Sequence, residues 1–278
     1  MNRSAPRPAA ARSGHRRCGG RASVAGRWGA GALVAAAVTL PVASYATHGG
    51  DEPVVEPGEV VVVPSGHLDL GPRMESGTWE LRVRDDRDHP PVWRDLEDVV
   101  VHVVDDALVP VPGAAEYAFL GLPEGSPVHV IPQVEQEGVV WVGWNTQAPE
   151  VVDRLERGAD LSLTRVEGPG AVHLFLQEGV SSEPLVLWSS TTDLPQSAWM
   201  EVNTHTHANW VFTRPGAYLL GLESTGTLVD GTPVRAGATL RVAVGDEVDP
   251  ADLLEQELGE APGDAAAAGD AGGAPEPT

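Results

Sequence analysis

The sequence predicts an all-β fold, an antiparallel β-sandwich of the jelly-roll type that forms one domain. Three observations predict it. Between residues 59 and 247 the chain consists of short apolar segments. Apolar and polar residues alternate within them, as Trp79, Leu81 and Val83 do with their charged neighbours. Turn sequences such as Gly168-Pro169-Gly170 separate the segments, which is typical of sandwiches and barrels.

The predicted strands follow one another with few other elements between them. A helix-like pattern occurs once, at 151–157. No repeat of about 20–50 residues is present, which indicates a single domain and not a solenoid. The predicted strands are 59–63, 78–84, 98–104, 128–131, 139–144, 160–167, 171–176, 184–188, 208–213, 216–223 and 238–244.

Residues 1–46 have the pattern of a secretory signal peptide. A basic start without acids leads into an apolar run at 28–43, and Ser44-Tyr45-Ala46 is typical of a cleavage site. An uncleaved membrane anchor is the alternative, although the run is shorter than the ~20 residues a span needs. We therefore expect a secreted, extracellular protein at the cell surface, with no membrane span in the mature chain.

The two ends of the mature chain read as non-globular. Residues 47–58 are rich in Gly, Pro and acids and predict a linker. Residues 248–278 predict a short helix beginning near Pro250, followed by a disordered Ala/Gly/Pro/Asp tail.

The composition limits the partners and the metal ligands. The chain has 18 basic and 40 acidic residues and a formal charge of −22. Seven arginines lie in the leader, which leaves 11 bases against 40 acids, or −29, after cleavage. A chain this acidic repels nucleic acid. The one cysteine, Cys18, also lies in the leader, so a mature metal site must use His, Asp, Glu or Asn.

The segment from Asn203 to Gly216 carries the strongest chemical signal. It reads as an extended strand that runs into a Pro-Gly turn. Since alternate side chains of a strand share a face, His205, His207 and Asn209 are predicted on one face. Two imidazoles spaced in this way form half of a metal site. Two structural histidines are the alternative, and Asn209 reads as a hydrogen-bonding residue.

The usual enzyme motifs are missing from the sequence. It has no Gly-x-Ser-x-Gly, no His-Glu-x-x-His and no phosphate-binding loop. We therefore expect a protein that is not an enzyme.

Several short motifs, in a fixed order, resemble one known family. They are Gly66-His67-Leu68-Asp69, Asp98-Val-Val-Val-His102-Val, Phe119-Leu-Gly, Ile131-Pro132-Gln133, Val140-Trp141-Val-Gly143-Trp144-Asn145-Thr146, Gly168-Pro169-Gly170 and the segment from His205 to Tyr218. Together they resemble the actinobacterial surface-anchored protein domain, also called the ABC-transporter-associated repeat, of the choice-of-anchor M type. The resemblance spans about residues 59–245. Unlike many members, this sequence shows one copy of the domain, and we expect no wall-sorting tail.

The resemblance implies a role in metal uptake. Members are secreted or wall-attached and are often encoded beside an ABC importer for a metal, so the implied cofactor is zinc or manganese and the implied partners are components of that transporter. The histidine motifs of the family would supply the remaining ligands: His67, Asp69 and His102. The spacing of His67 and Asp69 repeats that of His205 and His207. His102 faces away from its neighbouring valines, but a core histidine bonded to a backbone carbonyl remains an alternative.

Three functional hypotheses follow from these patterns. The first is a surface metal-binding protein. The second is an adhesion or glycan-binding module with structural histidines, which predicts a row of exposed tryptophans. The third is a metal-dependent hydrolase, which needs an open coordination position for water. Convergence of His67, His205 and His207 within about 4–5 Å distinguishes the first and third hypotheses from the second.

Overall fold

The computed structural model describes residues 52–179, 183–254 and 256. Its strands form three mostly antiparallel sheets, which confirms the predicted all-β fold of the sandwich type. The expected leader and nearly all of the expected disordered tail lie outside the described residues. None of the helices in the described part of the chain is both long and apolar enough to cross a membrane.

The first sheet has six strands in the order β1-β5-β16-β15-β9-β12. Its long strands β15 and β16 form a hairpin that pairs without interruption from Gly216–Val244 to Thr227–Pro233. The β1–β5 and β5–β16 pairs are parallel, and the remaining pairs are antiparallel. The strands are β1 (Val61–Val63), β5 (Val99–Val103), β9 (Leu155–Glu167), β12 (Gln196–Glu201), β15 (Gly216–Leu228) and β16 (Pro233–Val244).

The second sheet has five antiparallel strands in the order β11-β10-β14-β7-β6. One of its faces belongs to the main core, and the other is covered by a 3₁₀ segment, Ala115–Leu120. The strands are β6 (Leu108–Pro110), β7 (Pro127–Ile131), β10 (Val172–Leu176), β11 (Leu185–Ser189) and β14 (Asn209–Phe212).

The third sheet also has five strands, in the order β13-β8-β2-β3-β4. The β2–β8 pair is parallel and the other pairs are antiparallel. The strands are β2 (Gly66–Glu75), β3 (Thr78–Asp85), β4 (Val92–Asp95), β8 (Val140–Asn145) and β13 (His205–His207).

One large apolar cluster joins the three sheets. Leu161 comes from the first sheet, Leu174 from the second and Leu70 from the third, and all three are at most 1% exposed. Burying a leucine side chain contributes roughly 1.5–3 kcal/mol. A core of this size holds the sheets together without a disulfide, since the only cysteine of the sequence, Cys18, is not among the described residues.

Strand β2 is the largest element that the sequence patterns missed. Glycine and proline interrupt it, and both of its faces are largely buried, so it shows no simple alternation. Pro72 is tolerated because β8 pairs only with Gly66–Leu70; beyond Leu70, β2 has β3 as its sole partner.

The predicted helix at 151–157 is a single short turn, α1 (Pro149–Val152). Pro149 occupies its first turn, where a missing backbone N–H is harmless. The chain is extended again by Leu155, where β9 begins five residues before the predicted start.

The histidine-bearing segment is not one continuous strand. Residues 205–207 pair with β8 in the third sheet, while residues 209–212 pair with β7 and β10 in the second. Ala208 lies between these two strands and is completely buried. The chain therefore crosses from one sheet to the other at Ala208, which separates the histidines from Asn209.

Part of the predicted linker is docked on the third sheet. The backbone N–H of Val55 donates to the carbonyl of Trp93, and the N–H of Trp93 donates to the carbonyl of Pro53, at 2.8 and 2.9 Å. Val54 packs against the main core. Residues 53–55 thus extend the sheet beyond β4.

Candidate metal site

Four side chains converge on one face of the third sheet: His67 and Asp69 from β2, and His205 and His207 from β13. We call this group the His–Asp centre. Strand β8 lies between β2 and β13, and alternate side chains on each of these strands reach across it.

Gly143 of β8 makes this approach possible. It is the register partner of Asp69 on one side and of His207 on the other. A Cβ atom at Gly143 would lie 2.7 Å from Asp69 Oδ1 and 2.7 Å from His207 Cε1. The missing side chain leaves the space in which these two residues meet.

The donor atoms of the His–Asp centre lie at contact distances. The Nε2 atom of His207 is 3.0 Å from Nε2 of His67 and 3.0 Å from Nε2 of His205. Asp69 Oδ1 is 2.9 Å from His205 Nε2, 3.2 Å from His67 Nε2 and 3.8 Å from His207 Nε2. All four donors lie within 4.8 Å of one another, which meets the convergence expected of a metal site.

These distances fit a tetrahedral ion. Bonds of ~2.0–2.1 Å from a tetrahedral metal place its ligands about 3.3–3.4 Å apart. Five of the six separations between donor atoms are 2.9–3.8 Å and bracket that value, and all six are at most 4.8 Å. The four residues could therefore hold one ion as three imidazole nitrogens and one carboxylate oxygen.

Outer partners orient two of the ligands. Asp86 Oδ2 is 2.8 Å from His67 Nδ1, so this nitrogen donates and Nε2 is the nitrogen that faces the centre. Asn145 Nδ2 donates to Asp69 Oδ2 at 3.0 Å, which leaves Oδ1 for the centre. Histidine metal ligands almost always donate their other ring N–H in this way, to a carboxylate, a backbone carbonyl or a water.

Trp141 forms one wall of the site. Its ring stacks on His207 with a centroid distance of 3.7 Å and an interplanar angle of 11°. Its Nε1 donates to the backbone carbonyl of Gln133 at 3.2 Å, which fixes the ring in place. Trp141 therefore shields the imidazole of His207 from solvent and restricts its rotation.

The buried carboxylate dominates the electrostatics of the centre. Burial alone would raise the pKa of Asp69, but hydrogen bonds from His205 and His67 hold it far below its usual range. Burial lowers the pKa of His67, and the hydrogen bonds to Asp69 and Asp86 outweigh it and raise the pKa to about 9. At neutral pH this imidazole therefore carries a proton that a metal ion would displace.

His207 behaves differently from His67. Burial lowers its pKa to about 3, against an opposing attraction from Asp69. Its Nδ1 makes no hydrogen bond within the usual geometric limits, although the carbonyl of Val142 is close enough to raise the pKa slightly. The ring is thus neutral at pH 7, which is the form that binds metals.

The structure brings together four of the five predicted ligands, and His102 is the exception. His102 lies on β5 in the first sheet, and its Nε2 donates to the carbonyl of Gly245 at 3.2 Å. His102 is thus a histidine bonded to a backbone carbonyl, which was the alternative to a metal ligand. The prediction that it is a ligand is corrected, because its strand lies in a different sheet from the other four residues.

Asn209 is likewise outside the centre. It is bonded to Gln133, whose backbone N–H donates to Asn209 Oδ1 at 3.0 Å. The prediction that it shares a face with His205 and His207 is wrong because the chain changes sheets at Ala208.

Four residues that surround the ligands, Trp141 among them, were not predicted as part of the site. The histidine spacing identified the ligands, but nothing local pointed to Asp86 or Asn145 as their partners or to Gly143 as the floor of the site. The pairing register of β8 brings Asn145 and Gly143 there. Asp86 follows β3, and its antiparallel pairing with β2 places Asp86 beside His67.

Comparison with models of protein families, with curated proteins and with solved structures finds no significant match. The resemblance to the surface-anchored protein domain therefore remains a prediction from the motifs. The geometry of the site alone defines the class: an all-β protein with a candidate three-histidine, one-aspartate metal centre.

Proposed function

We propose that this protein binds a transition-metal ion at the His–Asp centre, zinc in preference to manganese, and serves metal uptake at the cell surface. The observation that carries the metal proposal is the convergence of three imidazole nitrogens and one carboxylate oxygen within 4.8 Å. Histidines that stabilise a fold through separate hydrogen bonds need no such common centre.

The donor set favours zinc. Imidazole ligands suit zinc, whereas manganese prefers several oxygen ligands in octahedral geometry. Here only Asp69 contributes an oxygen donor to the group. Copper and nickel also bind imidazole strongly, so a titration must include them as competitors.

The number of protein ligands argues against the hydrolase hypothesis. A catalytic zinc site keeps three protein ligands and leaves one position for water, while a closed site uses four. Four side chains of this chain could fill a tetrahedral shell. We therefore propose a site that holds a metal and does not activate water.

The surface role rests on the sequence. The basic and apolar leader supports export, and the family resemblance supports an ABC-type importer as the recipient of the metal. The exposure of His205 is compatible with delivery: its side chain is 34% exposed, while that of Asp69 is 1% exposed. A metal would enter and leave past this ligand.

The glycan-binding alternative receives less support. It predicts a row of solvent-facing tryptophans, but among the described residues only Trp199 is largely exposed, at 54%. Trp79, Trp144 and Trp210 are buried. One exposed ring makes a poor platform for a sugar chain.

The test is metal binding by residues 47–278, which include every described residue. We expect one zinc ion per chain in a titration, weaker binding of manganese, and loss of zinc binding in the His205→Ala/His207→Ala double variant. A matched control is His102→Ala, which removes a histidine outside the centre. Absence of zinc binding by the well-folded protein would refute the metal proposal.

A further inference from the structure

A chain of charged side chains leads away from the His–Asp centre. Asp86 Oδ2 receives two hydrogen bonds, from His67 Nδ1 at 2.8 Å and from Arg84 Nη1 at 2.9 Å. Arg84 is in turn held by Glu52, with Nη2–Oε1 at 2.8 Å and Nε–Oε2 at 2.9 Å. Glu52 Oε2 also accepts from the indole of Trp93 at 2.8 Å.

Glu52 belongs to the segment docked beside β4. Residues 53–55 exchange two backbone hydrogen bonds with Trp93. Further along, the N–H of Gly58 donates to Asp98 Oδ2 at 2.7 Å. The segment is therefore fixed by backbone pairing, and it holds the Glu52 carboxylate against Arg84.

This arrangement makes the position of Asp86 depend on Glu52. Asp86 Oδ2 is shared between Arg84 and His67. With Glu52 in place, two of the donors of Arg84 are engaged elsewhere. Without Glu52, the guanidinium is free to move and to draw the carboxylate from the imidazole. Its charge near the centre, no longer balanced by Glu52, also opposes the approach of a cation.

We propose that the N-terminal segment at 52–55 sets the metal affinity of the His–Asp centre through Glu52, Arg84 and Asp86. This inference rests on the proposed metal-binding function and adds a control on the same site. Docking of the segment holds Asp86 on His67 and favours metal retention. Undocking, by a partner that takes up the segment or by its removal, favours release.

The experiment measures zinc affinity and zinc release in protein made from the full-length sequence. The variants are Glu52→Ala, Asp86→Asn and both together, and the readouts are competition with a chromogenic chelator and the rate of zinc transfer to it. Loss of an outer partner of a metal ligand lowers affinity roughly 10–100-fold. We expect a loss of zinc affinity in that range for Asp86→Asn and of about tenfold for Glu52→Ala. The loss in the double variant should be well below the product of the two single losses.

A matched control lies on β3, the strand that also carries Arg84. Glu80 accepts from Arg82 Nε at 2.7 Å, an ion pair of β3 that is not connected to the centre. Glu80→Ala should leave the zinc affinity unchanged. Should Glu52→Ala disturb folding, Glu52→Gln keeps the size of the side chain and removes only its charge, and it should weaken zinc binding in the same direction.

The outcomes separate this inference from the proposed function. Wild-type protein that binds no zinc would refute both. Wild-type protein that binds zinc, with unchanged affinity in Glu52→Ala, would refute the control by the segment and leave the metal site standing. Equal losses of zinc affinity in Glu52→Ala and Glu80→Ala would also overturn the inference. So would a Glu52→Ala/Asp86→Asn double variant whose loss equals the product of the two single losses.

Discussion

Replacement of Gly143 by alanine tests the geometry of the site with one methyl group. Gly143 lies on β8 between two of the proposed ligands, and its replacement by alanine removes no hydrogen bond. Its new Cβ would lie 2.7 Å from each of three atoms: Asp69 Oδ1, His207 Cε1 and the carbonyl oxygen of Thr206. Asp69 Oδ1 is itself a proposed donor atom.

The size of the effect follows from these distances. Ordinary van der Waals contact begins near 3.4 Å, so the crowded atoms must retreat from 2.7 Å by about 0.7 Å. Metal–ligand distances tolerate only about ±0.2 Å. Two of the four ligands would leave tetrahedral geometry, and we expect zinc affinity to fall by at least about 100-fold, or roughly 2.7 kcal/mol. Overpacking itself costs about 1–3 kcal/mol of fold stability.

The assay is a zinc titration by calorimetry beside thermal unfolding without metal. Gly237→Ala is the matched control, because its Cβ would meet nothing closer than the Leu222 carbonyl at 3.6 Å. It lies in β16 of the first sheet, whereas the site residues lie in the third sheet, and should bind zinc like the wild type. A folded Gly143→Ala protein with unaltered zinc affinity would refute the reasoning, since the site could then not depend on the approach of Asp69 and His207.

Three further predictions concern stability and pH. Excess zinc should raise the melting temperature of the wild type, because zinc binds only the folded state. It should not raise the melting temperature of His205→Ala/His207→Ala. An equal rise in both proteins, measured by differential scanning fluorimetry, would place the zinc elsewhere. Zinc binding at pH 7 should release about one proton, because His67 has a pKa of about 9 before the metal displaces its proton. For the same reason the affinity of the protein for zinc should increase up to about pH 9. Calorimetry in buffers of different ionisation enthalpy measures the released proton, and proton-independent binding would contradict the prediction. His173 is fully buried without a hydrogen bond, and burial lowers its pKa to about 4. As the pH falls, the imidazole is protonated in the unfolded chain before it is protonated in the folded one, so the free energy of unfolding of the metal-free protein should decrease between about pH 6.5 and pH 4. His173→Leu should reduce this decrease, measured by urea unfolding, and an unchanged pH dependence would refute the role of His173.

The sequence was informative where a pattern is local. Alternation in β3, β10 and β16 predicted strands that the structure confirms. The spacing of His205 and His207 predicted two imidazoles on one face, because that depends only on the pleat of one strand.

The remaining features depend on pairing between distant segments. His67 meets His207 across 140 residues of sequence, and the register of β8 places Gly143 beneath them. Strand β2 was missed because burial on both faces removes the alternation that reveals a strand. His102 was assigned to the site by its motif, but its strand lies in the first sheet, so no local pattern could exclude it.

The central claim is that three imidazoles and one carboxylate of a single chain surround one zinc ion. X-ray absorption of the zinc-loaded protein measures this environment directly. We predict four nitrogen or oxygen ligands at ~2.0–2.1 Å, with the scattering pattern of about three imidazoles, and we predict that the His205→Ala/His207→Ala variant retains no such zinc. A six-coordinate shell dominated by oxygen, or a spectrum that the double variant leaves unchanged, would contradict the proposed centre.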